Sequence, residues 1–212
     1  GYSRKGDGSD YPLAWSGQSP LEAYYLASLL PGAPEVARGL LKNFLAAQTE
    51  DGFIDLRPGL AGQRGKMLAA PMLASLAWQV YQSTNDESFL AESFPKLLAF
   101  FWNWFSPAHD RDHDNLPEWD HLLQTGFEEN PLFDTWNPWS QGVDVSTVDN
   151  PGLYAMLARE AGCLILMAEK LGRSGEVEIV KHQAELLDNA VAADWDERAA
   201  LYQYRDLVTR LS

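Results

Sequence analysis

The residues best suited to chemistry in this 212-residue chain lie between His109 and Asn150, where ten carboxylates and three tryptophans stand against a single arginine. Asp110, Asp112 and Asp114 alternate, and Asn115, Leu116 and Glu118 follow. Carboxylates at every second position of a turn can converge on one hard cation, with the backbone carbonyl of Leu116 as a further oxygen ligand. Calcium suits that donor set. The match to a helix-loop-helix calcium loop is partial: Asn115 stands at the sixth position, where glycine is usual, and His121 at the twelfth, where glutamate is usual. Zinc competes through His109, His113 and His121, but the regular oxygen spacing does not favour its closed tetrahedral sites. The alternative without a metal is a solvated acidic turn whose aspartates cap neighbouring elements. Further on, Thr125-Gly126-Phe127-Glu128-Glu129-Asn130-Pro131 sets two adjacent carboxylates on backbone too irregular for a helix, near Trp119, Trp136 and Trp139. An acid against aromatic walls loses hydration, which favours its neutral form and suits it to donating a proton near neutral pH. Aromatic faces also stack on sugar rings. Taken alone, these residues read better as a capping acid pair beside buried tryptophans.

Helices must position these groups, because a period of 3.6 dominates the chain and a period of 2 is nearly absent. The class is all-α. A first helix follows Ser19-Pro20 and stops at Pro31-Gly32; a second starts at Pro34 and ends near Gln48. A third is predicted with Met67, Leu68, Met72, Leu76 and Val80 on one face, breaking at Ser83 to Asp86. A fourth spans about Glu87 to Phe105, bent or interrupted at Pro95. Two more run from about Pro151 to Leu171 and from about Gly175 to Ala193. Short turns alternate with long connections (residues 49–66 and 106–150), which predicts three stacked helical hairpins in one domain, residues 1–212. The long loops should gather on one rim, where binding residues are usually placed. No repeat of fixed period is evident, which argues against a solenoid.

Composition narrows the partners. With 46% apolar and 12% aromatic residues the chain has ample material for a core. Its 30 acidic against 16 basic residues would repel nucleic acid and anionic membranes. No apolar run approaches the roughly 20 residues of a membrane span, and the start has no signal-peptide pattern. A soluble, cytoplasmic protein is expected, with secretion left open because no initiator Met opens the sequence. The lone Cys163 reads as a small buried hydrophobe.

WFSPAHDRDHDNLPEW (residues 104–119), TGFEENPLFD and VDVSTVDNPGLYAML, in that order, resemble the central stretch of the (α/α)6-barrel glycoside hydrolases. The resemblance is to family sixty-three enzymes and mannosylglycerate hydrolases, and more distantly to trehalases. Upstream, YPLAWSGQSP is similar to the segment around a substrate-facing Trp, and NFLAAQTEDGFID to the family's Q-x-x-D-G-x-I turn. The resemblance implies that Glu128 stands in the place of the general acid, one methylene longer than the usual Asp. Trp15, Gln48, Asp51, Trp119, Asp134 and Asp149 match positions near the sugar subsite. Leu132 and Phe133 stand where relatives often carry an Arg. Asp110-x-Asp112-x-Asp114 matches a stretch that binds Ca2+ in some relatives, which supports the oxygen-ligand reading. Inverting exo-acting hydrolysis of a small neutral oligosaccharide or glycoside is the implied chemistry. The family's base lies in the second half of a twelve-helix barrel, whereas about six helices are present here. The remaining half of the toroid, or a second copy, is then an expected partner beside the carbohydrate. A non-catalytic carbohydrate-binding or helical interaction module with the same fold is the other reading.

Overall fold

The computed structural model describes residues 17–59, 62–63, 66–126 and 144–208. The all-α expectation holds: the long elements are α1 (Pro20–Leu29), α2 (Pro34–Ala47), α3 (Leu73–Thr84), α4 (Glu87–Asn103), α6 (Pro151–Lys170) and α7 (Glu178–Ala193). A one-turn helix, α5 (Leu122–Thr125), lies in the long acidic loop. The starts follow local chemistry. Ser19 and Glu22 form a reciprocal capping box ahead of Pro20, and Asn150 Oδ1 accepts the Leu153 amide ahead of Pro151. Asp86 accepts the Phe89 amide at the start of α4 and pairs with Arg38 of α2 at 2.6 Å, which ties the first two hairpins together.

Two layers result. α3 packs on α1 and α6, α2 touches α4, and α7 lies along α6. Between them sits one apolar core whose largest fully buried side chains include Trp104, Trp119, Tyr154, Phe94 and Phe100. Cys163 is buried as expected, and desolvation pushes its thiol up to about 11.

The structure corrects the start of α3 and adds detail at two other places. α4 runs unbroken through Pro95. α3 begins at Leu73 rather than near Met67: Leu56 N–H donates to Met67 O, Ala69 N–H donates to Ile54 O, and Asp55 bridges Leu68, so residues 67–69 are extended. Pro71 explains the late start, since the residue before a proline is driven away from helical backbone. The C-terminal segment also turns back as strands. β2 (Trp195–Asp196) pairs with β3 (Leu201–Tyr202), and β4 (Arg205–Asp206) pairs antiparallel with β1 (Val148–Asp149) just ahead of α6.

Candidate active site and cation turn

The acidic stretch begins where α4 ends. His109 and Asp110 N–H both donate to Ser106 O, and Glu118 N–H returns to His109 O at 2.7 Å, closing residues 110–117 into a loop. Inside it, Asp110 accepts the amides of Asp114 (3.1 Å) and Asn115 (3.2 Å), while Asp114 Oδ1 accepts Leu116 N–H at 2.8 Å. His113 (φ 61°) and Asn115 (φ 69°) adopt left-handed backbone, which these residue types accept more readily than most and which curls the turn. Asp110 and Glu118 are buried, while Asp112 and Asp114 stand exposed at the mouth of the turn. Asp110, Asp112, Asp114 and Glu118 each offer an oxygen, all within 4.8 Å of one another. Oxygens bound to one calcium at 2.3–2.6 Å can be at most about 5 Å apart, so the spread fits a single ion.

Electrostatics points the same way. Glu118 is fully buried, its Oε2 accepts Arg111 N–H, and its Oε1 has no partner. Burial, helped by the charges of Asp112, Asp110 and Asp114, pushes the Glu118 carboxyl up to about 7 despite that hydrogen bond. Asp114 rises to about 6, chiefly through burial. A buried carboxylate with an orphaned oxygen among three others is a site short of positive charge, and a hard cation fits it. Among the described residues no histidine joins this cluster. His109 Nδ1 lies 2.7 Å from Asp120 Oδ2, and His121 Nδ1 accepts Leu123 N–H as the cap of α5, which weakens the zinc alternative. Burial opposes ionisation of Asp120, yet His109, Gln124 and the Arg111 charge together hold its carboxyl below the usual range.

The other sequence-predicted residues are placed as follows. Asp149 is buried at the mouth of α6, accepts the Tyr154 hydroxyl at 2.8 Å, and adds its charge to the field raising Asp114. Trp119 is buried edge-on against Trp104, with centroids 5.4 Å apart, between Glu118 and Asp120 in sequence. Gln48 Nε2 donates to Gly52 O and Lys96 O, while Asp51 Oδ1 accepts Thr49 Oγ1 and Phe53 N–H. Gln48 therefore ties the 49–53 turn to α4, and Asp51 closes the turn on itself. Gly52 (φ +89°) is required there, because a Cβ would lie 2.6 Å from Ala99 O. Leu116 offers its amide to Asp114. Glu128, Trp15 and Asp134, with Trp136 and Trp139, lie outside the described residues. The approach to Glu128 is visible: Gln124 clamps the amides of Asp120 and His121 and donates to Leu68 O, and Gly126 (φ 71°) ends α5 in left-handed backbone.

Sequence reasoning passed over Glu118 as a member of the cluster, Tyr154 as the partner of Asp149, and Gln183 of α7, which donates to Asn115 O at 2.8 Å. Only Glu118 had a signal, its place directly after the aspartate run. The other two are contacts across 5 and 68 residues that no local pattern announces.

A family model described as the mannosylglycerate hydrolase MGH1-like glycoside hydrolase domain matches residues 11–212. Among solved structures, an uncharacterized conserved protein from Thermus thermophilus matches at 21% identity and TM-score 0.69, covering 88% of this chain and 58% of that one. The GH63 mannosylglycerate hydrolase of the same organism matches in its complex with glucose (21% identity, TM-score 0.66, 89% and 59% covered). Its complex with Tris matches as well (18% identity, TM-score 0.69, 89% and 61% covered). The chain thus spans about three fifths of the length of these structures. No curated protein matches.

Proposed function

The chain belongs to the mannosylglycerate hydrolase MGH1-like glycoside hydrolase family, and from that premise we propose that it forms part of the catalytic barrel of an inverting, exo-acting α-glycosidase-like enzyme. Its substrate would be a small neutral oligosaccharide or glycoside. The family match over residues 11–212 carries the reading. The helical hairpins supply an (α/α)6 scaffold, and the 106–150 connection supplies the rim. Glu128, on the segment that leaves α5 through Gly126, is the general acid that protonates the leaving oxygen. Inversion needs a second carboxylate about 6.5–9.5 Å away on the opposite face of the sugar, with room for a water. That base would come from a second half of the toroid, a reading supported by the greater length of the neighbouring structures. Trp15, Gln48, Asp51, Trp119, Asp134 and Asp149 line or support the sugar subsite.

A calcium ion would be held by Asp110, Asp112, Asp114 and Glu118, with the Leu116 carbonyl as a further oxygen, and would supply the charge that lets these carboxylates stay ionised together. The chain's own part is to bring the four oxygens within 4.8 Å. The decisive experiment uses a protein holding both barrel halves. Glu128→Gln should cut turnover by at least about 10²-fold and leave sugar affinity nearly unchanged, whereas retained turnover would move the acid elsewhere. Calcium titration after chelation, at fixed ionic strength, should raise the thermal midpoint; no shift removes the cation from the proposal. The three-fifths coverage also keeps a non-catalytic carbohydrate-binding module in view. That reading requires sugar binding with no turnover in the protein that holds both halves.

A further inference from the structure

The buried face of α7 carries Val180, Gln183 and Leu187, so an amide stands on a helical stripe where an apolar residue would pack best. Burying an amide is costly unless it is bonded. Gln183 is 7% exposed, and its Nε2 donates to Asn115 O at 2.8 Å, across 68 residues of sequence. That carbonyl shares one peptide plane with Leu116 N–H, and Leu116 N–H donates to Asp114 Oδ1 at 2.8 Å. On the other side of the residue, Asn115 N–H donates to Asp110 Oδ2. The backbone of Asn115 is left-handed, a conformation asparagine tolerates and one that turns its N–H and C=O to different partners. Gln183 grips one end of this peptide, and the other end orients a carboxylate of the cluster.

We infer that Gln183 is a positioning residue for the cation turn, fixing the Asn115–Leu116 peptide so that Asp114 and Asp110 present their oxygens together. The inference rests on the cation reading of the cluster given above. It makes ion binding reciprocal with the seating of α7: an ion that favours the aligned turn strengthens the Gln183 contact by the same factor that the contact strengthens ion binding.

Terbium, an oxygen-seeking probe of calcium sites, reports both through luminescence sensitised by the nearby Trp119. The wild-type chain should bind it saturably, and Glu118→Gln should weaken that binding. Gln183→Met, matched in length but with no donor, should weaken binding by about 10-fold or more, the range seen when a residue supporting a metal ligand is lost. Val180→Ala, on the same buried stripe but with no polar group to bond the turn, should lower the thermal midpoint and leave terbium affinity unchanged. In the wild type, terbium should also slow amide hydrogen exchange in α7 around Gln183. Wild-type affinity in Gln183→Met, equal weakening in Val180→Ala, or unslowed exchange in α7 would each overturn the positioning role alone. No saturable binding to the wild type would overturn the cation reading itself.

Discussion

Glu118 shows how one side chain can set the behaviour of a site. Its folded carboxyl sits at about 7, against an ordinary 4.5, so the folded chain holds that proton more tightly than the unfolded chain does. In chelator, this contribution to stability is fully present below about pH 4.5 and is lost as the pH rises to about 7. Thermal midpoints measured in chelator should therefore fall across that window, and Glu118→Gln should flatten the fall. A slope unchanged by the substitution would place the linkage in another group. Three alternating aspartates announced an acidic turn in the sequence. That Glu118 would be buried with a free oxygen depended on Trp119 packing edge-on against Trp104, which spacing does not encode.

Among the elements, α3 is the instructive case. Its apolar period extended back to Met67, yet the helix starts at Leu73, where no side chain of its own caps it. The cap comes from α6: Glu160, buried, accepts Ala74 N–H at 2.6 Å and Ser75 N–H at 2.7 Å. Burial pushes this carboxyl up, while the bonded amides and neighbouring Arg159 favour its ionised form. Glu160→Gln keeps the shape but turns one acceptor into a donor facing an amide, so urea unfolding should show a loss of about 1–3 kcal/mol. A loss under about 0.5 kcal/mol would mean that water replaces the cap. The starts of α1, α4 and α6 were legible because Ser19, Asp86 and Asn150 cap them locally. The start of α3 was not, because its cap comes from residue 160, far along the chain. The long rim loop was legible as a loop, but α5 and the β1–β4 pairing inside and beside it rest on tertiary contacts. Across the whole element set, among the described residues, no helix is long and apolar enough to cross a membrane.

For the molecule as a whole, the hairpin array has two ends, and each carries apolar side chains. Leu29 of α1 is 75% exposed and Ile179 of α7 is 72% exposed, with Tyr25, Leu30 and Val36 near the first. Exposed apolar groups gathered in this way favour association. The isolated chain should therefore sediment with a concentration-dependent average mass, and Leu29→Lys with Ile179→Lys should shift it towards the monomer. Identical sedimentation of the double variant would show that these ends are not the contact. The overall all-α plan was legible because helical periodicity is local. Which apolar side chains stay exposed at its ends was beyond the sequence's reach, because that depends on surface that only a packed structure displays.

The pairing of Val148–Asp149 with Arg205–Asp206 also has a meaning for how the chain opens and closes. By joining the segment before α6 to the segment after α7, it fastens the neck of a loop that holds both helices. Stretches tied in this way tend to open as one cooperative unit rather than fray. Asp149 stands in that neck, and Gln183 ties α7 to the acidic turn. Opening of the α6–α7 hairpin would then release the Gln183 contact as well, so the order of the turn is linked to that hairpin staying closed.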